Sequence, residues 1–219
     1  ELGIRKADTN AQVVDFADVV FLAVKPQFLE GVLDEIRDSV KAGQIFISIA
    51  PGKTLQWLGE RLGENTKVIR TMPNTPAMVG EGMTALCVNE LVTEEEIALA
   101  VKLCDTFGKT EVIPEHLMDA VVGVSGSSPA YVFMFLEAMA DAAVADGMPR
   151  AQAYKFAAQS VLGSAKLMLE TGKHPGELKD MVCSPAGTTI QAVRVLEEKG
   201  FRSAVIEAQT ECVKKAKGM

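Results

Sequence analysis

Two short segments rich in Ser, Thr and Gly could do chemistry in this chain. The first is S-P-A-G-T-T at 184–189, and apolar residues at helical spacing follow it from Ile190 to Leu196. Thr188 and Thr189 are expected to cap that helix. Its free backbone N–H groups and positive dipole end suit an anion. The alternative is an ordinary capped helix that holds no ligand.

The second segment is V-S-G-S-S-P-A at 124–130. It is expected to interrupt the helical domain just before another helix begins. Ser127 or Ser128 would cap that helix. Two such helix starts predict opposed walls of an anion pocket, although core packing alone would give the same placement.

Three further candidate segments follow predicted strands, at the carboxyl ends where doubly wound sheets bind ligands. A-V-K-P at 23–26 offers a Lys that can reach a phosphate, with a surface ion pair as the alternative. Small residues at 48–52 let a ligand approach the backbone. R-T-M-P-N-T-P at 70–76 projects polar side chains from a turn that two prolines stiffen. Together they predict a cleft at one edge of a sheet.

The elements that would position these segments change character near residue 114. Before it, strands alternate with helices, which implies right-handed crossovers and a parallel sheet. The predicted strands are 19–24, 45–49, 67–70, 83–88 and 110–113. The predicted fold class is α/β Rossmann-like, a doubly wound parallel sheet over residues 1–113, followed by an all-α domain over 114–219.

Residues 131–145 are apolar on nearly every side of their predicted helix. Such a helix must be buried all round. A chain of 219 residues has little room for that, so the pattern indicates an oligomer interface. The alternative is the central helix of a self-contained bundle.

Composition narrows the choice of partners. The formal net charge is −7, which disfavours nucleic acid and anionic membranes. No uncharged, unbroken apolar run of about 18 residues predicts a membrane span, and no signal peptide is recognised. The four cysteines form no C-x-x-C, and there are only two histidines, so no metal is expected. Reduced thiols of a cytoplasmic protein are the expectation.

Four segments resemble Δ1-pyrroline-5-carboxylate reductase. They are F-L-A-V-K-P-Q at 21–27, M-P-N-T-P at 72–76, G-V-S-G-S-S-P-A-Y at 123–131 and H-P-G-E-L-K-D-M-V-C-S-P-A-G-T-T-I at 174–190. The resemblance implies a partial dinucleotide-binding domain and a helical dimerisation and substrate-binding domain. It implies hydride transfer from NADPH, with NADH as the alternative, to 1-pyrroline-5-carboxylate, giving L-proline. It also implies homodimers that assemble further, typically into decamers.

The resemblance also carries site residues onto this chain. Those expected to contact the cofactor are Asn10, Ala23, Val24, Lys25, Pro26, Ile49, Ala50, Pro51 and, as a lesser candidate near the nicotinamide, Glu115. Those expected to hold the substrate are Ser184, Gly187, Thr188 and Thr189. The Thr189 hydroxyl is expected to orient the ring nitrogen. No general acid is identified, so orientation of a preprotonated imine is expected to supply most of the catalysis.

Two departures from the family pattern matter. The G-x-G-x-x-G turn that opens the family is not found, and Glu1 to Ile4 resemble the middle of a dinucleotide domain. We therefore expect a missing βαβ start of roughly 30 residues or more, an open choice between NADP and NAD, and weak or no cofactor binding. Some members also carry an acidic residue where this chain has Gly172.

Two other functions fit the pattern less well. One is a β-hydroxyacid-type dehydrogenase, which would rely on a Lys of the helical domain, although none stands in a context that supports it. The other is a catalytically inactive oligomerisation fragment, which the apolar stretch at 131–145 would suit.

Overall fold

The structure, a computed structural model, describes residues 3–218. The expectation about Glu1 and Leu2 therefore lies outside the described residues. The chain forms two compact units. The first contains the chain as far as Ser127 and again from Glu211, and the second runs from Ser128 to Thr210.

A five-stranded sheet forms the centre of the first unit, with its strands side by side in chain order. The strands are β1 (Val19–Leu22), β2 (Ile45–Ser48), β3 (Lys67–Met72), β4 (Gly82–Val88) and β5 (Gly108–Val112). All neighbouring pairs are parallel except β3 and β4. The predicted strands and the doubly wound parallel sheet are thus confirmed, with one exception to the parallel pairing, because β4 runs antiparallel to β3.

The reversal at β4 has a geometric cause. Only nine residues, 73–81, join β3 to β4. A parallel neighbour needs a crossover of about a dozen residues or more, so the chain turns back instead. From β4 to β5 a full helix intervenes, and that pair is parallel.

Helices cover both faces of the sheet, as the prediction of a doubly wound fold requires. They are α1 (Asn10–Phe16), α2 (Pro26–Ile36), α3 (Leu55–Leu62) and α4 (Glu94–Cys104). Short 3-10 turns also occur at Arg37–Ser39, Thr75–Val79, Asp105–Phe107 and Glu115–Leu117. One core joins α1, α2 and α3 to the face that Phe46 occupies. The other joins α4 to the face of Ile45 and Ile47, so β2 is buried on both sides.

The segment 124–130 does not interrupt the helical structure as predicted. A short helix, α5 (Met118–Val121), passes into a π-helical turn at Val122–Gly126, and α6 (Ser128–Ala145) follows one residue later. The Ser127 N–H donates to Val122 O at 2.8 Å, an i→i−5 bond. The small, polar residues therefore form a wide turn within a helical run, a feature frequent at functional sites.

The second unit is helical throughout. Its elements are α6, α7 (Arg150–Thr171), α8 (Pro175–Val182), α9 (Thr188–Glu198) and α10 (Phe201–Lys217), whose last turns belong to the first unit. Within the chain α6 buries only Ala140, while Phe133 and Met134 are 65% and 70% exposed. The self-contained bundle is therefore disfavoured, and the apolar surface of α6 needs a cover from outside the chain.

Candidate active site

The turn between α8 and α9 is tightly closed. The Gly187 N–H donates to Ser184 O at 3.0 Å, with Pro185 and Ala186 between them. Ala186 has φ = 59°, the only positive φ outside glycine among residues 3–218. A proline followed by a residue of positive φ is the pattern of a type II turn. Non-glycine residues in this conformation are strained and concentrate at functional sites.

Gly187 immediately precedes α9, so the expectation that Thr188 and Thr189 cap this helix is wrong. Gly187 is the N-cap, and no side chain accepts a hydrogen bond there. A Cβ on Gly187 would lie 2.3 Å from the Ser184 hydroxyl oxygen and 3.1 Å from the Ser184 carbonyl oxygen, so a larger residue would require Ser184 to move. The first N–H groups of α9 have no acceptor within the helix. This terminus is therefore open to an anion.

All four predicted substrate residues lie in this one turn. Ser184 and Thr188 are exposed, while Gly187 and Thr189 are half-buried. The turn combines hydroxyl groups with backbone donors at a positive helix end, which suits a small carboxylate with one further polar atom.

In the first unit, the structure brings together the two predicted strand ends. Ala23 to Pro26 follow β1 and Ile49 to Pro51 follow β2, its parallel neighbour. The Ile49 N–H donates to Leu22 O at 3.3 Å, and the Ala50 N–H donates to the Ser48 hydroxyl at 3.3 Å. The two segments therefore leave the same edge of the sheet side by side.

The helices that begin at these strand ends differ in their N-termini. Lys25 is the N-cap of α2, is exposed, and makes no side-chain cap hydrogen bond. At α3 the Thr54 hydroxyl accepts from the Trp57 N–H at 3.1 Å, and the Glu115 carboxylate accepts from the Leu55 N–H at 2.7 Å. The terminus of α2 is thus open to an anion, while a carboxylate already occupies that of α3.

Glu115 also forms an ion pair with Arg70, at 3.0 Å. The Arg70 side chain is 9% exposed and that of Glu115 is 32% exposed. Cys87 lies opposite Arg70 on β4. Burial, and then the Glu115 carboxylate, raise the pKa of the Cys87 thiol to about 12, while Arg70 opposes the rise. Burial therefore favours the neutral thiol form of Cys87.

Asn10 lies apart from the other predicted cofactor residues. Its amide Nδ2 donates to Glu35 at 2.7 Å, near the C-terminal end of α2. Glu35 follows Pro26 by nine residues, which is about 14 Å along a helix. The structure therefore does not bring Asn10 beside the residues that follow β1.

The segment M-P-N-T-P lies against the π turn. Asn74 accepts from the Met83 N–H at 2.8 Å and donates to Ser125 O at 3.0 Å. A Cβ on Gly126 would lie 3.0 Å from the Met72 methyl group, so the Met72 side chain packs against Gly126. Two segments that the sequence singled out separately thus support one another.

An apolar groove of about 890 Å³ lies within the second unit. Residues of α6, α9 and α10 line it, among them Met134, Phe135, Val195, Leu196, Phe201 and Val205. By length and composition alone, the helical run Glu115–Ala145 could also cross a membrane, a test that core helices pass as well. Among residues 3–218, no group of His, Cys, Asp and Glu is arranged to hold a metal ion.

The link from Arg70 through Glu115 to Leu55 is not predicted by any sequence motif. Glu115 lies 45 positions after Arg70 and 60 positions after Leu55 in the chain. One sign was present, because Arg70 is a charged residue within an otherwise buried strand. A buried guanidinium needs a partner, but the strand pattern does not indicate which one.

Comparisons with known proteins bear on both halves of the chain. Residues 115–219 match the family described as pyrroline-5-carboxylate reductase dimerisation. Residues 1–52 match the family described as NADP oxidoreductase, coenzyme F420-dependent. The pyrroline-5-carboxylate reductase of Escherichia coli (strain K12) is 60% identical over 216 residues, which are 99% of this chain and 80% of that protein.

Solved structures agree with the sequence comparisons. A pyrroline-5-carboxylate reductase from Coxiella burnetii superposes with a TM-score of 0.93 at 36% identity, covering 99% of this chain and 81% of that one. A Plasmodium falciparum pyrroline carboxylate reductase with NADP bound gives a TM-score of 0.88 at 30% identity, covering 99% and 85%.

The Rossmann-like sheet, its paired strand ends and the match over 1–52 define a nicotinamide-dependent oxidoreductase. The identity to pyrroline-5-carboxylate reductases over nearly the whole chain narrows that class. The chain belongs to the pyrroline-5-carboxylate reductase family.

Proposed function

We propose that this protein reduces 1-pyrroline-5-carboxylate to L-proline with NADPH, the last step of proline biosynthesis, in the cytoplasm. NADH is the alternative cofactor. The observation that carries the proposal is the S-P-A-G-T-T turn, whose open helix terminus and Thr hydroxyls suit this substrate, in a chain of this family. The four free cysteines agree with a reducing compartment.

The substrate carries one carboxylate and one ring nitrogen. The N–H groups at the start of α9 would hold the carboxylate, supported by the Ser184 and Thr188 hydroxyls. Gly187 leaves the turn small enough for this approach. The half-buried Thr189 hydroxyl would orient the ring nitrogen. This division of roles accounts for the concentration of donors in one turn.

The residues at the strand ends fit a dinucleotide. Small side chains at Ala23 and Ala50 let it approach the backbone, and Lys25 at the open terminus of α2 supplies positive charge for a phosphate. Val24, Pro26, Ile49 and Pro51 would line its path, and Glu115 remains a lesser contact. Asn10 stays within the proposal, at a more distant point and with its amide already paired to Glu35.

When bound, the reduced nicotinamide supplies a hydride for the C=N carbon. The imine nitrogen gains a proton, so that imine, NADPH and H⁺ give proline and NADP⁺. Thr189 would hold the protonated nitrogen by accepting its hydrogen bond, and the α9 terminus would fix the carboxylate. These two anchors orient the C=N bond, which is the contribution expected from proximity and orientation.

Self-association completes the proposal. The match of 115–219 to a dimerisation family supports a second copy of the chain as the cover for the apolar faces of α6 and its groove. We propose a homodimer that assembles further into a decamer. A second copy accounts for the apolar run Glu115–Ala145 without a membrane, and the net charge of −7 disfavours nucleic acid.

The test is a steady-state assay of the full-length protein. NADPH oxidation is followed with 1-pyrroline-5-carboxylate, and proline is identified by amino-acid analysis. Oxidation of a β-hydroxyacid with NADP⁺ serves as the comparison. Turnover of the imine supports the proposal, whereas oxidation of the hydroxyacid without any imine reduction would refute it.

A further inference from the structure

The loop that follows β2 is fixed at both ends. At its start, the Ala50 N–H donates to the Ser48 hydroxyl, and Ser48 is fully buried. At its end, the Leu55 N–H donates to Glu115 at 2.7 Å. Between these points lies Gly52, with φ = +75°, a conformation that strains other residues. The loop therefore has one defined shape as long as both anchors hold.

Glu115 is held in turn by Arg70. One carboxylate oxygen of Glu115 accepts from both the Leu55 N–H and the Arg70 guanidinium. Arg70 is in register with Ser48 on the neighbouring strand. The residue that anchors the start of the loop is therefore next to the residue that holds Glu115, the anchor at its end. Without the guanidinium, a half-buried carboxylate would lose its countercharge and would be drawn towards water.

We propose that Arg70 is a positioning residue for the cofactor. Through Glu115 and the Leu55 N–H, it sets the shape of the loop that carries Ile49, Ala50 and Pro51. This inference rests on the proposed function, because that function assigns these three residues to the cofactor. Arg70 itself is buried and acts through Glu115, without touching substrate or cofactor.

The test compares Arg70→Met with Arg70→Lys in the full-length protein. Titration of NADPH by its fluorescence should show that Arg70→Met raises Kd at least about tenfold, the effect of one lost hydrogen bond to a charged group. Arg70→Lys keeps the charge and should restore most of the affinity. KM for the imine should stay within about twofold of wild type, because the substrate turn belongs to the other unit.

Lys67→Ala is the matched control. Lys67 lies on the same strand and pairs with Glu96, and its side chain is likewise mostly covered, but it stands at the opposite end of β3. Loss of this pair should lower stability and leave the NADPH Kd unchanged. An equal loss of NADPH affinity in Lys67→Ala and Arg70→Met would overturn the proposal, because NADPH affinity would then depend on any ion pair of β3 and not on Arg70 in particular.

Hydrogen exchange supplies a measurement without cofactor. Amides of residues 49–58 should exchange faster in Arg70→Met than in wild type, while those of β5 stay protected. If Arg70→Met fails to fold, the double variant Arg70→Met/Glu115→Gln removes both charges and keeps an acceptor for the Leu55 N–H. It should fold, with the loop amides protected as in wild type.

The possible results distinguish the positioning role of Arg70 from the proposed function. Unchanged NADPH affinity and unchanged exchange at 49–58 in Arg70→Met overturn the positioning role while imine turnover by wild type stands. Wild type that binds NADPH but does not reduce the imine overturns the proposed function and leaves the role of Arg70 intact. Equal losses in NADPH affinity, imine KM and stability, without rescue by Lys, would show a structural role alone.

Discussion

Thr189 is the single side chain on which the proposed orientation of the substrate depends most. Thr189 is half-buried at the start of α9, where the backbone donors are proposed to bind the carboxylate. Thr189→Ala should lower kcat/KM by about 1–3 kcal/mol of transition-state stabilisation, the cost of one lost buried hydrogen bond. Initial rates with the imine provide the measurement.

Thr210→Ala is the control for this change. Its hydroxyl donates to Ile206 O on the exposed side of α10, so its loss removes a methyl and a hydroxyl group without touching the turn. Kinetics should stay at the wild-type level. Unchanged kinetics in Thr189→Ala as well would remove Thr189 from the site.

Ala186 makes a second prediction at the residue scale. An L-residue in the left-handed region costs about 1–2 kcal/mol, and glycine gives back about half of that in chain entropy. Ala186→Gly should therefore raise the free energy of unfolding by up to about 1 kcal/mol. The same change at Ala158, exposed within α7, should lower it by about 1 kcal/mol. Urea denaturation distinguishes these outcomes, and equal losses would show that the turn is unstrained.

At the scale of elements, α4 offers a pH-dependent prediction. Thr93 and Glu96 form a reciprocal capping box. The hydrogen bond from Lys67, followed by the Thr93 N–H, lowers the pKa of Glu96 below its usual 4.5. A lowered folded-state pKa stabilises the fold above the unfolded pKa, and this is lost as pH falls through the folded value.

Glu96→Gln should therefore be less stable than wild type near neutral pH. The difference should shrink as pH falls below 4.5 and disappear once wild-type Glu96 is protonated. Unfolding in urea at several pH values measures it. Glu94→Gln, in the same first turn, should show a smaller difference, because Glu94 takes no part in the box. A difference for Glu96→Gln that does not vary with pH would contradict the account.

Much of the fold follows from local patterns, and the elements show where such patterns stop being sufficient. The run around Phe46 and Ile47 predicts β2 because side chains on both faces are apolar and both faces are covered. The direction of β4 depends on the length of the connection from β3. The two prolines in that connection indicate a turn, but they do not indicate the direction of the next strand. The π turn at Val122–Gly126 has the composition of a breaker, yet i→i−5 bonding continues the helix.

The candidate site, too, can be predicted from local patterns only in part. The turn at 184–189 follows from composition alone, since Pro and Gly stop one helix and another pattern begins. That Gly187 and not a Thr is the cap depends on the close approach of Ser184, which no pattern reveals. The link between Arg70 and Glu115 joins distant residues and becomes visible only when the sheet is assembled.

For the whole molecule, the exposed apolar surface of the second unit predicts self-association. Val205 lines the groove of that unit and is 42% exposed within the chain. Val205→Glu would place a charge in an interface that a second copy covers, at a cost of several kcal/mol. Sedimentation velocity should show dissociation towards monomers. Asn65→Asp, which adds the same charge on an exposed turn of the first unit, should leave the assembly intact, and an undissociated Val205→Glu would exclude the groove from the interface.

The central claim is that this chain belongs to an enzyme that delivers a hydride to the C=N carbon of 1-pyrroline-5-carboxylate. The most direct measurement uses NADPH carrying deuterium at C4 of the nicotinamide, on the face that is transferred, with the full-length protein. The account predicts proline one mass unit heavier, with the deuterium on the carbon next to nitrogen that was part of the C=N bond. NADPH oxidation without deuterated proline, or no reaction with the imine at all, would contradict it.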